Sequence, residues 1–275
     1  MSAQERLGIP LADLYAARMS KKPAWVIQKE KDAAATVWMF GLHAVRDALL
    51  NPARKRVRLI TTKNAADRLA DAIAVSGMVP EMADARKFPA PLDPASVHQG
   101  AALEVKPLDW GAPTELLGGE GPKTVLLLDR VTDPHNVGAV LRSAEVFGAA
   151  AVISPARHSA PETGALAKTA SGALERQPYL RVKNLAATMA ELKKLGYFIV
   201  GLDGEAEADL EPALVQAGPR VALVLGAEGP GLREKTKETC DFLAKIPFAG
   251  SFGSLNVSNA TAVALYAAQR QRSTE

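Results

Sequence analysis

"TVLLLDRVTDPHNVGAVLRSAEVFGA" occupies residues 124–149. It opens as an unbroken apolar run, turns at Asp133-Pro134 and resumes at helical spacing. Val and Leu without polar alternation suit a strand covered on both faces, the habit of parallel sheets. Asp-Pro marks the turn, and Asn136 is expected to cap the helix that follows. Val137, Leu141, Ala144 and Phe147 then fall on one stripe. Gly138 lets the start of that helix lie close to another surface. Strand, turn and helix in this order form the repeating unit of an α/β sheet.

The unit recurs downstream. "AAVISP", "YFIVGLD", "VALVLG" and "FLAKIP" read as further strands. Helices are expected at 138–147, 186–195, near 232–238 and at 257–270. Residues 123–275 therefore predict a parallel sheet with helices on both faces. A smaller α/β unit precedes it at 36–107. There "GLHAVRDALLN" places Leu42, Val45, Leu49 and Leu50 on one helical face. "RVRLITT" and "GAALEVKPL" are strands, and "AADRLADAIAVSG" is a helix closed by Gly77. Residues 108–122, rich in Gly and Pro, read as a linker with a helical turn at Leu116 and Leu117. Residues 1–35 show no sustained period and are expected to form a disordered leader, with a short helix near 11–19.

Bulk composition excludes several classes. The 275 residues are 48% hydrophobic, enough for a real core. No apolar run approaches the ~18 residues of a membrane span. The first residues lack the apolar stretch of a signal peptide, so the expectation is a cytoplasmic protein without membrane contact. The single cysteine, Cys240, rules out an internal disulfide framework and a Cys-rich zinc site. Histidines 43, 98, 135 and 158 lack ligand spacing, so no metal is expected. A Gly-x-Ser-x-Gly elbow is also missing. Net charge is +3, and the excess lies in the first 105 residues. The local cluster Arg54, Lys55, Arg56 and Arg58 reads either as a phosphate-backbone contact or as a solvated helix end.

Three polar loops follow three of the strands, where open α/β sheets bind ligands. In the first, Arg142 points away from the apolar stripe. Its guanidinium suits a phosphate, and it reads equally as a surface arginine paired to Glu145. The second loop, "GAEGPGL" at 226–232, is a tight glycine turn around Glu228, without dinucleotide spacing. The third, "GSFGSLNVSNATAVALY" at 250–266, lacks the P-loop lysine. Its ligand should carry little negative charge and be held by backbone groups and by Ser254, Asn256 and Ser258. Read singly, the second and third are also an ordinary connection and a helix cap.

Taken together and in order, the three loops resemble the signature motifs of the SpoU (TrmH-type) RNA 2′-O-ribose methyltransferases, from residue 124 to 269. "FGLHAVRDALL" and "VHQGAAL" are similar to the substrate-binding domain of the bacterial 23S rRNA guanosine 2′-O-methyltransferase subgroup, which is L30e-like in fold. The leader lies outside the resemblance. The resemblance implies a C-terminal parallel-sheet domain with a trefoil knot, a pocket for S-adenosylmethionine (AdoMet), and a homodimer packed through the catalytic domain. It implies methylation of a ribose 2′-hydroxyl, with a guanosine of 23S rRNA as target. The alternatives are a tRNA or another rRNA ribose, or a non-catalytic RNA-binding or ribosome-assembly protein. By position, Asn136, Arg142, Glu228, Ser254 and Asn256 match the catalytic set, with Arg142 as a phosphate and hydroxyl clamp. Leu225, Gly226, Gly229, Ile246 and Leu255 match the cofactor contacts. Phe252 lies in a variable stretch bearing on substrate choice. Arg54, Lys55, Arg56, Arg58 and His98 are the RNA-binding candidates of the first domain, His98 reading also as a turn-stabilising residue.

Overall fold

The computed structural model describes residues 36–249 and 255–272. The expected leader, Phe252 and Ser254 lie outside the described residues. From Val37 onward the chain forms one compact unit, built on two sheets.

The first sheet has the order β1-β4-β2-β3. Its strands are β1 (Val37–Phe40), β2 (Arg56–Thr61), β3 (Glu81–Met82) and β4 (Ala101–Val105). β4 runs antiparallel to both β1 and β2, and β3 adds in parallel. Helix α1 (Leu42–Leu50) buries Leu42, Val45 and Leu49. The helix expected at 65–77 is two, α2 (Lys63–Arg68) and α3 (Ala70–Ser76). They break at Leu69, whose backbone leaves the helical region. Thr62 caps α2 by accepting from Ala65 N. Gly77 ends α3 in the left-handed conformation, the usual glycine stop. β1 and β3 escape the sequence reading because four and two residues carry no usable period.

Residues 108–122 are fastened rather than loose. They hold α4 (Pro113–Leu117), with Leu117 fully buried. The Leu117 carbonyl accepts from Tyr197 Oη at 3.1 Å and Arg220 Nη2 at 2.8 Å.

The second sheet has six strands, all parallel, in the order β10-β8-β9-β5-β6-β7. In chain order its elements are β5 (Lys123–Asp129), α5 (Pro134–Val146), β6 (Ala151–Pro155), α6 (Gly164–Ala170) and β7 (Tyr179–Val182). Then come α7 (Leu185–Lys194), β8 (Phe198–Leu202), α8 (Leu210–Ala217), β9 (Arg220–Gly226), α9 (Glu234–Thr239), β10 (Phe242–Ala244) and α10 (Val257–Arg272). The strand order reverses between β5 and β9, so a crevice opens beyond their carboxyl ends. Register sets Asp129 level with Gly226, which brings the first and second polar loops side by side.

The sequence does not reveal β7, α6 or α8. β7 is an edge strand of four residues with Arg181 facing out, and both helices span barely two turns. The cap of α5 also differs from expectation. Asp133 caps it, accepting from His135 N at 3.0 Å, with Pro134 at the first helical position. Asn136 therefore lies inside the first turn, and its amide is free for other partners. Gly138 behaves as predicted. A Cβ there would sit 2.7 Å from the Leu166 carbonyl of α6 and 2.8 Å from Thr169 Cβ. α5 thus presses its backbone onto α6, and α10 also packs against α5.

Candidate active site

Three loops distant in sequence meet through hydrogen bonds. Asn136 Nδ2 donates to Glu228 Oε1 at 3.2 Å, and Asn256 Nδ2 donates both to Asn136 Oδ1 at 3.0 Å and to Glu228 Oε1. The Val257 backbone N–H adds a longer bond to that same carboxylate oxygen, 3.4 Å. Asn256 Oδ1 in turn accepts from Ser258 N at 2.8 Å and Ser258 Oγ at 2.6 Å, which starts α10. Glu228 is thus the knot of the cluster: three donors converge on one oxygen.

The loop carrying Glu228 is anchored where it leads into α9. Asp129, fully buried at the end of β5, accepts from Arg233 N (3.1 Å), Arg233 Nε (2.7 Å) and Thr236 Oγ1 (2.6 Å). Inside the loop, Gly231 N donates to Ala227 O at 3.0 Å. This fold-back needs bare backbone. A Cβ on Gly226 would lie 2.1 Å from the Gly231 carbonyl carbon and 2.4 Å from Leu232 N. Gly229 and Gly231 turn the chain at φ 83° and 66°.

Beside the cluster lies a cavity of about 550 Å³. Its walls include Leu225, Gly226, Gly229, Ile246 and Leu255, so the five expected cofactor residues share one surface. Glu228 and Asn256 stand on its rim. The cavity adds residues that the motif reading misses: Leu202, Asp203, Gly204, Lys245 and Phe248. Asp203 and Gly204 follow β8, and the rule that ligands sit beyond strand ends would have found them. Lys237 binds the Asp203 carboxylate at 2.5 Å. Burial alone would raise that carboxyl, but the hydrogen bonds from Lys237 and the Glu205 backbone hold it below the usual range. Burial pushes the Cys240 thiol up to about 12, which favours its neutral form.

Arg142 is not part of the hydrogen-bonded cluster. It lies on α5, exposed, and makes no hydrogen bond or ion pair with the described residues. The pairing with Glu145 that the sequence allows does not form, because Glu145 is taken by Arg176.

The basic cluster of the first domain divides. Arg54 is a correction: its side chain is 0% exposed and is locked to Glu162 and Glu175 at 2.6 Å each, with a further bond to the Lys106 carbonyl. A guanidinium so buried cannot reach a phosphate backbone. It joins the first sheet's unit to the segments on either side of α6 instead. Arg56 donates to the Leu49 carbonyl at 2.5 Å. Arg58 forks onto Glu81 with two 2.7 Å bonds. His98 stacks on Phe88 at 4.2 Å, and its Nδ1 accepts from Gly100 N, a turn-stabilising role. Lys55 is exposed and has no ion pair among the described residues. Among those residues, no helix is long and apolar enough to cross a membrane, and no His, Cys, Asp and Glu group is placed to hold a metal.

Comparison with known proteins bears on both sheets. The SpoU rRNA Methylase family model matches residues 123–266. The 23S rRNA (guanosine-2'-O-)-methyltransferase RlmB of Ralstonia nicotianae is 44% identical over 244 residues, covering 86% of this chain and 96% of that protein. Its namesake from Escherichia coli (strain K12) is 42% identical over 243 residues, with 86% and 98% covered. The fold is also that of the SpoU methyltransferase AviRb from Streptomyces viridochromogenes, solved in complex with AdoMet. The two share a TM-score of 0.74 at 22% identity, over 92% of this chain and 99% of that one.

Proposed function

Because the chain belongs to the SpoU rRNA methylase family, we propose that it transfers a methyl group from AdoMet to a ribose 2′-hydroxyl of RNA, at a guanosine of 23S rRNA. The observation that carries this reading is the convergence of Asn136, Glu228 and Asn256, from three loops, at the rim of one cavity.

The cavity fits AdoMet by chemistry. Leu202, Leu225, Ile246 and Leu255 offer apolar walls for a purine, and the glycines allow backbone approach. Lys245 is the cation among its described walls, which also carry the acids Asp203 and Glu228. That set suits a ligand with a sulfonium and an amino-acid end better than one with phosphates. AdoMet, when bound, supplies an electrophilic methyl group. The chain's own task is to bring the 2′-oxygen into line with it and to hold it there, since orientation supplies much of such a rate enhancement. Asn136 and Asn256 position the ribose, and Glu228 holds both amides in place. Arg142 grips the adjacent phosphate and the hydroxyl. A guanidinium stays charged throughout the working range, so the 2′-proton leaves to phosphate oxygen or water.

Further parts of the reading rest on the same fold. After β10 the chain returns beside β9 and α5, which supports a trefoil knot in this domain, a rare topology. Val146, Val263 and Tyr266 form exposed apolar surface on α5 and α10, which supports a homodimer through the catalytic domain. Residues 36–107 act as the L30e-like RNA-binding domain, with Lys55 available to phosphate, and the protein works in the cytoplasm.

Glycine substitutions test the cavity. Gly226→Ala should weaken AdoMet binding by about tenfold, the consequence of forcing a backbone shift costing ~1–3 kcal/mol. Gly231→Ala meets nothing within 4 Å and should act more weakly, through its positive φ alone. Calorimetry with AdoMet measures both, and equal effects would contradict the close-approach argument.

The reading itself is tested by mapping ribose methylation in 23S rRNA and tRNA from cells lacking the protein. Loss at one 23S guanosine is the expected result. Loss at a tRNA ribose would reassign the substrate, and unchanged methylation at every site would refute the enzyme.

A further inference from the structure

Arg142 and Glu145 stand three residues apart on α5, and such pairs are neighbours on a helix surface. An unengaged carboxylate there would fold back onto the guanidinium and compete with any phosphate. The structure prevents this. Arg176 Nε donates to Glu145 Oε1 and its Nη2 to Glu145 Oε2 at 3.3 Å, a forked pair. Its Nη1 binds Asp47 Oδ2 at 2.8 Å.

Arg176 is itself delivered by a fixed turn. It follows the short 3-10 helix Ala173–Glu175, whose buried Glu175 is locked to Arg54 and Asn51. Gly172 opens that turn at φ 89°, where a Cβ would collide with the Asp47 carboxylate. Hence α1 of the first unit, the turn after α6 and the outer face of α5 meet on one cation.

We infer that Arg176 is a positioning residue: by holding the Glu145 carboxylate, it leaves the Arg142 guanidinium unpaired and open to the RNA phosphate. The inference rests on the reading of Arg142 as a phosphate clamp. Arg176 touches no substrate in this role and acts through Glu145.

The test measures binding and methylation of transcribed 23S rRNA by four purified proteins: wild type, R176A, E145Q and R176A/E145Q. R176A should bind RNA about two- to threefold more weakly, the scale of an exposed i,i+3 ion pair competing for Arg142, with the loss in KM rather than kcat. Its log–log salt slope should fall by a fraction of one phosphate contact. E145Q alone should stay near wild type, and R176A/E145Q should regain wild-type affinity and slope. R176K, which keeps a cation against both acids, should also stay near wild type and guards against a variant that merely folds poorly. If the double variant is as weak as R176A, the Glu145 route is wrong. Because RNA affinity is read without turnover, a wild type that binds but never methylates refutes the proposed reaction and leaves this comparison intact.

Discussion

Arg142→Ala is expected to lower methyl transfer to RNA by on the order of 10²–10³-fold, the usual loss when one oriented charged donor leaves a reacting centre. AdoMet affinity should not change, because Arg142 lies outside the cavity. The informative companion is Arg142→Lys. Lysine keeps the charge but presents a point ammonium in place of a planar fork. If the clamp depends on bidentate geometry, Lys should recover only part of the loss. Single-turnover rates across pH, beside calorimetry with AdoMet, decide the matter. Near-normal turnover of Arg142→Lys with an unchanged pH profile would eliminate the geometric clamp.

The second large effect is on stability. Arg54→Ala should destabilise the fold by about 3–5 kcal/mol, the range seen when one partner of a buried ion pair is removed. The reason is specific. Glu175 and Glu162 share that guanidinium at 2.6 Å, and without it two carboxylates face each other with little solvent. The loss should depend on pH. Burial already holds the Glu162 carboxyl above its usual range, although Arg54 partly offsets it. A carboxyl whose folded value exceeds its unfolded one binds protons more readily when folded. Stability therefore falls as pH rises through that interval. The variant should lose less at pH 5 than at pH 8, because protonated acids bear no buried charge. Denaturant unfolding at both values measures this. A loss below 1 kcal/mol at pH 8 would show that the triad is not what joins the two halves.

Arg54 also marks the limit of reading charge from sequence. It stands in a run with Lys55, Arg56 and Arg58, and adjacency suggested one basic patch. Three of these four turn to internal partners: Arg54 to Glu162 and Glu175, Arg56 to the Leu49 carbonyl, Arg58 to Glu81. Their acids lie from 23 to 121 residues away in sequence, and no local pattern connects them. Asn136 shows the same limit at short range. Asp133 and Asn136 are both good caps, and Pro134 settles the choice by fixing the first helical residue.

The sequence alone determined five of the six strands from residue 124, because burial on both faces writes itself as unbroken apolar runs, while the short edge strand β7 and the two-turn helices α6 and α8 left no such mark. The three polar loops are also legible in the chain, but singly they read as an ordinary turn or cap, and their order together is what carries the family resemblance. Tertiary structure alone decided that Asn136, Glu228 and Asn256 share one oxygen, and that Leu225 and Ile246 face one cavity. It decided too that Arg142 is unpaired while Glu145 is not. Those facts depend on strand order, with β9 inserted beside β5 at the reversal of the sheet. Order in a parallel sheet is set by long-range packing, which leaves no period in the chain.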